Sequence, residues 1–343
     1  MEKKIISGLI LIMLFLSSCN LQRNKGKSGS SLKQISEQQV REIKIEHPFL
    51  ELDPEISGLA WYKNYLILLP QYPNRFMDGG GYLFYISKNE ILNYLSTQNP
   101  EPLKLRTIKF RDKGLEEYSS LGSGYEAVSF NDEDVYLNIE SIDNHKTSGI
   151  LVKGKIDFQK KLIQVNADKI TKIKSQSGLH NFSDEANLFY RDKIYSIHEA
   201  NGIGANSHPH VKIFDESLEQ TGSISFPNIE YRITDATKPD SSGKFYALNY
   251  LYLGDINKLK PAEDSIAIKY GIGISNNPQR GIERIIQFQI LEDKIIFGDQ
   301  LPVYLELSEN GRNWEGIAEL EGKGFLVVTD KHPETILAFV SRE

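Results

Sequence analysis

From Val40 onward, short apolar runs are separated by polar turns rich in Gly, Asn, Asp and Pro. Runs of about five residues bounded in this way are typical of β-strands, and few stretches have the period of an amphipathic helix. Five segments share one pattern, in which a small or acidic residue opens a strand and a polar residue ends the strand after the next turn. These segments are 56–71, 125–140, 184–199, 234–249 and 314–330.

The spacing within these segments predicts a hairpin. The two polar positions lie 14 residues apart in the first four segments and 15 apart in the fifth. Two strands of about five residues joined by a turn bring the chain back to the side that it left. Each pair should therefore lie at one end of its hairpin. The pairs are Ser57 with Gln71, Glu126 with Glu140, Glu185 with Glu199, Asp235 with Asn249, and Glu315 with Asp330.

Two further strand-like runs follow each hairpin, so the repeat has four strands. Four strands per repeat predict the blades of a β-propeller, and five repeats predict an all-β, five-bladed β-propeller. The last repeat ends after its third strand, and residues 40–45 can supply the fourth, which would close the ring with an N-terminal strand. Residues 250–280 are interpreted as an insertion in the fourth blade. A six-bladed propeller with a degenerate blade there is the alternative.

The N-terminus has the pattern of an export signal. A charged start, Glu2-Lys3-Lys4, precedes an apolar run of about a dozen residues that ends at Leu16. That run is shorter than the roughly 20 residues of a membrane-spanning helix but suits a secretory signal. The following Leu16-Ser17-Ser18-Cys19 resembles a bacterial lipobox, which implies cleavage before Cys19 and a lipid on its sulfur. The alternative is that Cys19 is an ordinary buried cysteine.

These observations predict three parts of the chain. Residues 1–18 are expected to be a lipoprotein signal peptide, 19–38 a flexible lipid-anchored tether, and 39–343 the propeller domain. The protein is then expected in the bacterial cell envelope, facing the periplasm or the cell surface. Because Cys19 is the only cysteine, the chain has no intrachain disulfide.

The net charge and the distribution of Lys and Arg limit the classes of molecule that the chain is expected to bind. The formal net charge is −6, and no dense Lys/Arg block follows the first thirty residues. A nucleic-acid groove needs clustered cations, so the sequence argues against one. We expect a monomer that contacts the membrane only through the lipid on Cys19 and that takes a small anionic ligand or a phosphate ester.

The first polar position of each repeat is predicted to face the central channel. These positions are Ser57, Glu126, Glu185, Asp235 and Glu315. Four carboxylates converging on one axis repel each other unless a cation lies among them. Oxygen ligands of this kind suit Ca²⁺, with Mg²⁺ second. The alternative is that these acids accept hydrogen bonds from backbone amides of neighbouring blades.

The second polar positions are predicted to line the mouth of the channel, close to His198. We assign possible acid–base roles to Glu140, Glu199 and His332, and substrate contacts to Gln71, Arg75, Asn249, Asp330 and Lys331. Arg75, Lys331 and, as a weaker candidate, Arg232 would hold an anionic group.

Two families have similar patterns. The repeat over roughly residues 55–340 resembles that of the calcium-activated nucleotidase (apyrase) family, whose five-bladed propeller holds one Ca²⁺ in the channel with Ser or Glu ligands at the matching positions. Asp235 stands where that family usually has a smaller ligand. The segments Trp314-Glu315-Gly316-Ile317-Ala318, with Asp330, and Ser57-Gly58-Leu59-Ala60 are similar to the phytase-like, esterase-like propeller family. Both resemblances imply a metal-binding propeller, and they differ in substrate.

Two classes of function remain open at this stage. One is a Ca²⁺-dependent hydrolase of phosphate esters or anhydrides, in which Glu140 or Glu199 handles the proton. The other is a binding lipoprotein with a structural metal. A phosphohydrolase should present several Lys or Arg side chains at the mouth of the channel, so the number of these cations distinguishes the two classes.

Overall fold

The chain forms five antiparallel blades of a propeller, and a parallel pairing between the outer strands of blades 1 and 2 joins these two blades into one eight-stranded sheet. The computed structural model describes residues 32–342 apart from residues 53, 77–80, 116–117, 119–123, 144–145 and 310. The innermost strand of each blade contacts the innermost strands of both neighbouring blades, and the contact between the first and fifth blades closes the ring. The predicted five-bladed, all-β architecture is confirmed.

Each blade has four principal strands, ordered from the channel outward. Blade 1 has Ile56–Tyr62, Tyr65–Pro70, Gly81–Ser87 and Arg106–Arg111. Blade 2 has Gly124–Asn131, Asp134–Asp143, Lys146–Asp157 and Leu162–Lys174. Blade 3 has Asp184–Tyr190, Lys193–His198, His210–Phe214 and Gln220–Ser225. Blade 4 has Arg232–Ala236, Lys244–Leu251, Ile282–Ile290 and Val303–Leu305, and blade 5 has Trp314–Leu320, Gly324–Thr329, Leu337–Ser341 and Val40–Ile43.

The N-terminal strand closes the ring as predicted. Val40–Ile43 pairs antiparallel with Leu337–Ser341 and completes blade 5, so this sheet edge is covered. The ordered fold begins before the predicted end of the tether at residue 38. Gln34–Ile35 pairs with Ile272–Gly273, and Glu37–Gln38 pairs with Val303–Leu305. The signal peptide, Cys19 and residues 20–31 lie outside the described residues.

Blade 4 contains the predicted insertion. Between its second and third strands lie the 3₁₀-helix Leu253–Asp255 and the helices Ile256–Leu259 and Ser265–Tyr270, so this stretch is not a sixth blade. The Asp264 side chain accepts from the Ile266 and Ala267 amides and so caps the second helix. Buried Arg284 of the third strand binds Asp264 at 2.6 Å, which fixes the insertion to the blade.

One helix was not predicted. Lys88–Ser96 connects the third and fourth strands of blade 1 and begins with a capping box, in which Ser87 and Glu90 bind each other's backbone amides. Its apolar face buries Ile91 and Tyr94. The remaining short elements are the 3₁₀-helices Pro48–Leu52 and Pro73–Phe76, the paired strands Ile45–Glu46 and Leu103–Lys104, and the added blade 4 strand Ile295–Phe297.

Burial decreases from the channel outward. Every residue of Asp184–Tyr190 is buried, whereas most of the outer strand Gln220–Ser225 is exposed. Apolar side chains fill the spaces between blades; for example, Ile67 of blade 1 and Leu137 of blade 2 belong to one cluster. Among the described residues, no helix has the length and apolar character needed to cross a bilayer.

Candidate functional site

A register shift occurs at the predicted channel position in every innermost strand. In blades 1, 2, 3 and 5 the pairing with the second strand skips one residue, and in blade 4 it skips two. A bulge of this kind leaves the extra residue out of the ladder and turns its side chain. The skipped positions include all five predicted channel residues, namely Ser57, Glu126, Glu185, Asp235 and Glu315. The repeated polar position therefore coincides with a β-bulge in every blade.

Ser57 and Asp235 use their side chains to hold neighbouring blades together. The Ser57 hydroxyl donates to the carbonyl of Tyr125 in blade 2 at 2.5 Å. Asp235 Oδ2 accepts from the amides of Leu59 at 3.2 Å and Ile317 at 2.8 Å, and its Oδ1 accepts from Ala236 at 2.8 Å. Asp235 therefore does what the alternative interpretation expected, whereas Ser57 donates to a carbonyl, and the oxygens of both side chains are less free to bind an ion.

Three glutamates at the first polar positions of the repeats lie close to two glutamates at the second polar positions. Glu126, Glu185 and Glu315 are nearly buried, with 5–8% of their surface exposed. Glu140 and Glu199 are also buried, and charge interactions connect them to this group. Gln71, at a second polar position, connects the two sets of residues, because its amide Nε2 donates to Glu126 Oε1 at 2.8 Å. We call Glu126, Glu140, Glu185, Glu199 and Glu315 the glutamate cluster.

Arg232 is the counter-ion that the fold itself supplies. Its Nε pairs with Glu199 Oε1, its Nη1 with the hydroxyl of Tyr250, and its Nη2 lies 3.6 Å from Glu315 Oε1. Tyr250 in turn donates to Glu315 Oε1 at 3.2 Å. Sequence reasoning considered Arg232 only as a weak contact for an anionic substrate. Its buried position instead makes it a partner of the glutamate cluster.

One arginine does not neutralise five carboxylates, and the cluster responds by holding protons. Burial raises the pKa of Glu140 to about 8, with a further contribution from the charge of Glu199. Burial likewise raises the pKa of Glu315 to about 8 and that of Glu199 to about 7, although Arg232 opposes both shifts. The pKa values of Glu126 and Glu185 are raised well above their usual range by burial and by the neighbouring glutamates.

Two oxygens of the glutamate cluster have no partner. Oε2 of Glu140 and Oε2 of Glu199 are buried without a hydrogen bond of ordinary geometry, and the hydroxyl of Ser183 lies close to Glu140. Buried polar atoms are nearly always satisfied by protein, water or an ion, so these two identify where a group is needed. Among the described residues, however, no three His, Cys, Asp or Glu side chains are already gathered closely enough to hold a metal ion.

The two cations predicted to bind substrate instead share one partner. Arg75 Nη1 binds Glu55 Oε1 at 2.5 Å, and Lys331 Nζ binds Glu55 Oε2 at 3.0 Å. Glu55 itself is 7% exposed and was not singled out from the sequence. Tyr72 lies near this group, and burial together with the charges of Glu126 and Glu55 raises its pKa to about 12. The mouth is therefore less cationic than an anion-binding site would require.

The other predicted mouth residues make their hydrogen bonds outside the glutamate cluster, although the charge of Asp330 adds to burial in raising the pKa of Glu315. Asn249 accepts from Arg284 at 2.7 Å and donates to the carbonyls of Glu230 and Arg232 at 3.0 Å, which is a structural role. Asp330 accepts from the amide of His332 at 2.7 Å. His332 is exposed, and no contact in the described part of the chain brings it to the glutamate cluster.

Comparison with known proteins adds information about the fold. No protein-family model matches the chain, and no curated protein matches it in sequence. An exo-β-1,3-galactanase from Phanerochaete chrysosporium aligns over 88% of this chain and 64% of its own, at 7% identity and a TM-score of 0.47. The catalytic domain of a GH62 α-L-arabinofuranosidase from Coprinopsis cinerea aligns over 91% and 98%, at 8% identity and a TM-score of 0.44.

A third aligned structure is a GH43 β-xylosidase/α-arabinofuranosidase from a compost microbial metagenome, described as a calcium-free form in complex with xylotriose. It aligns over 88% of this chain and 94% of its own, at 9% identity and a TM-score of 0.44. The chain spans less than two thirds of the galactanase structure.

These comparisons correct the predicted family. The aligned structures are five-bladed glycoside hydrolases, so the resemblance to the nucleotidase and phytase-like propellers, drawn from short repeat motifs, was wrong. The chain is similar to these glycoside hydrolases in its five-bladed β-propeller fold alone.

Proposed function

We propose that the glutamate cluster binds Ca²⁺ in the channel of the propeller. The observation that carries this proposal is the pair of buried, unpartnered oxygens on Glu140 and Glu199. If all five glutamates were ionised, Arg232 would leave a formal excess of four negative charges. A divalent ion offsets two of these and accepts the orphaned oxygens as ligands.

The donor set favours Ca²⁺ over other metals. Carboxylates supply the hard oxygen ligands that Ca²⁺ takes in numbers of six to eight and in flexible geometry. The described cluster contains neither Cys nor His, the ligands that Zn²⁺ prefers. Mg²⁺, with its stricter octahedral geometry, is the weaker candidate.

Calorimetric titration of the purified chain with Ca²⁺ tests the proposal. We expect one site per chain and a melting temperature that rises by several degrees, since an ion bound only by the folded state stabilises it. Glu185→Gln should weaken Ca²⁺ binding at least tenfold, and this side chain has no hydrogen-bond partner among the described residues that the change would break. The control is Glu321→Gln, whose side chain is 87% exposed. Equal Ca²⁺ affinity in wild type and Glu185→Gln would contradict the proposal.

A second candidate function is hydrolysis of a glycosidic bond by Glu140 and Glu199. The specific observation is their unequal surroundings, because Arg232 pairs with Glu199 whereas Glu140 has no cationic partner at hydrogen-bond distance among the described residues. Such a difference separates a proton donor from an ionised partner, which is the division of labour in most glycoside hydrolases. The mouth does not favour phosphate esters, because Arg75 and Lys331 are both engaged with Glu55.

A panel of nitrophenyl glycosides, assayed with Ca²⁺ and with EDTA, tests this second function. Hydrolysis that falls at least 100-fold in both Glu140→Gln and Glu199→Gln, while both variants stay folded, would support it. Absence of hydrolysis over the whole panel, with Ca²⁺ bound, would leave the channel as a binding site only.

We also propose that the chain is a lipoprotein of the bacterial envelope. Support comes from Leu16-Ser17-Ser18-Cys19 after the apolar run. Expression in a bacterial host with radiolabelled palmitate should label the wild type and leave Cys19→Ser unlabelled. Equal labelling of both would contradict it.

A further inference from the structure

A serine, a histidine and an aspartate lie in line beside the channel mouth, outside the glutamate cluster. Ser177 Oγ is 3.0 Å from His198 Nε2, and His198 Nδ1 is 4.0 Å from Asp184 Oδ2. Asp184 opens the innermost strand of blade 3, and His198 is its partner in the second strand, so the sheet sets their separation. Ser177 lies in the loop that precedes this blade.

The hydrogen bonds around Ser177 orient its hydroxyl toward the histidine. The amide of Leu179 donates to Ser177 Oγ at 3.3 Å, so the hydroxyl hydrogen is free to point to Nε2. Nε2 accepts that hydrogen when Nδ1 carries the ring proton, and Nδ1 is the nitrogen that faces Asp184. This is the tautomer in which an imidazole can take a proton from a serine.

Asp184 and His198 are fully buried and incompletely satisfied. Nδ1 of His198 and both carboxylate oxygens of Asp184 make no hydrogen bond of ordinary geometry, although the backbone of Ser183 lies close to the His198 ring and Lys212 lies close to Asp184. Lys212 Nζ lies 3.8 Å from Asp184 Oδ2 and supplies a nearby positive charge. The 4.0 Å gap between His198 and Asp184 exceeds a hydrogen bond, and it is of the size that a small rotation of either side chain closes.

The serine is the member of this group that reaches solvent. Ser177 is half-buried, and the next residue, Gly178, has φ +66° with open space where a Cβ would lie. The two residues that precede Ser177 nevertheless anchor the loop. Gln176 donates to the carbonyl of His210 at 2.7 Å and accepts from its amide, and the hydroxyl of Ser175 donates to the carbonyl of Phe182 at 3.2 Å.

We propose that Ser177, His198 and Asp184 form a second, nucleophilic site that cleaves short carboxylic esters. The Ser177 oxygen bonds to the ester carbonyl carbon while its proton passes to His198 Nε2. The bond to the alcohol oxygen breaks, and that oxygen takes the proton from His198. Water then attacks the acyl-serine and gives a proton to His198, which returns it to the serine oxygen as the carboxylic acid leaves. Asp184 is a positioning residue. The open space beside Gly178 leaves room for a short acyl group such as acetyl.

A fluorophosphonate probe and nitrophenyl acetate, used on the full folded chain, test this site. We expect the probe to modify Ser177, identified by peptide mass spectrometry, and nitrophenyl acetate to give a burst of about one product per chain. Ser177→Ala should lower both reactions about 100-fold. Ser223→Ala, at an exposed position in the outer strand of blade 3, is the matched control and should retain both.

The aspartate has its own readout. Asp184→Asn should slow ester hydrolysis at an unchanged KM, whereas a purely structural role would lower the melting temperature without a matching loss of kcat. Labelling of Ser177 no faster than that of Ser175 in folded protein, or a full burst in Ser177→Ala, would overturn the proposal.

Discussion

Oδ2 of Asp235 in blade 4 accepts a hydrogen bond from the amide of Ile317 in blade 5 at 2.8 Å. The same oxygen accepts from Leu59 in blade 1 at 3.2 Å. One buried carboxylate therefore joins three innermost strands at the channel. These hydrogen bonds explain why an acid occupies the polar position of the fourth repeat, since both of its carboxylate oxygens accept from backbone amides.

Removing that carboxylate should destabilise the ring. Asp235→Ala leaves three buried amides without an acceptor, at a cost of roughly 1–3 kcal/mol each, so we expect the free energy of unfolding to fall by about 3 kcal/mol or more. Denaturant unfolding measures this, with Asp293→Ala at an exposed turn as the control. A loss below about 1 kcal/mol would show that these hydrogen bonds do not hold the blades together.

The glutamate cluster predicts how stability depends on pH without metal. The pKa values of Glu140, Glu199 and Glu315 are raised from 4.5 to about 8, 7 and 8, so between pH 4.5 and 8 the folded state binds more protons than the unfolded state. Stability must then fall as the pH rises through this window, by up to about 1.4 kcal/mol per pH unit for each group. Melting temperatures from pH 5 to 9 in EDTA should decrease.

Saturating calcium should remove most of this pH dependence. Saturating Ca²⁺ replaces the protons, so the melting temperature should change little between pH 6 and 8. The variant Glu140→Gln should show a shallower slope in EDTA than the wild type. A melting temperature that rises with pH in EDTA would contradict the assignment of these protons to the cluster.

Arg232 competes with a bound ion for the same carboxylates. Arg232→Gln should therefore lower the melting temperature in EDTA at pH 8 and at the same time strengthen Ca²⁺ binding several-fold, because one positive charge is removed. Arg75→Gln is the matched control, since Arg75 pairs with Glu55 at the mouth. Calorimetry on both variants checks this, and weaker Ca²⁺ binding in Arg232→Gln would contradict it.

The closing strand makes a separate prediction about the N-terminus. Removal of residues 1–32 leaves every described strand pair intact and should not change the melting temperature. Removal of residues 1–43 deletes the fourth strand of blade 5 and exposes the edge of Leu337–Ser341. We expect that deletion to abolish cooperative melting, as measured by circular dichroism. Cooperative melting at the wild-type temperature would show that the strand is dispensable.

The five blades could be predicted because the repeat position has one local cause. The register shift at each innermost strand places an out-of-ladder residue at the channel, and a polar residue there can be recognised from spacing alone. The closing strand and the blade 4 insertion followed from counting strands. The helix Lys88–Ser96 was missed although its capping box is present in the sequence, because this connection occurs in one blade and so has no counterpart in the repeat.

The charges of the site were harder to predict, because partners come from different blades. Arg232 and Glu199 are 33 positions apart, and Glu55 binds Lys331 from the far end of the chain. Nothing in the local pattern separates a buried arginine from a substrate-binding one. Asp235 likewise looks like its repeat equivalents until the amides of Leu59 and Ile317 are placed beside it.

A crystal structure of the protein grown with Ca²⁺ would show directly whether the glutamate cluster binds the ion. We expect an ion in the channel with at least three ligands from the glutamate cluster, roughly six to eight oxygen ligands in all, at about 2.3–2.6 Å. A channel that holds only water beside Oε2 of Glu140 and Oε2 of Glu199, at a Ca²⁺ concentration that saturates binding in the calorimetric titration, would contradict the proposed site.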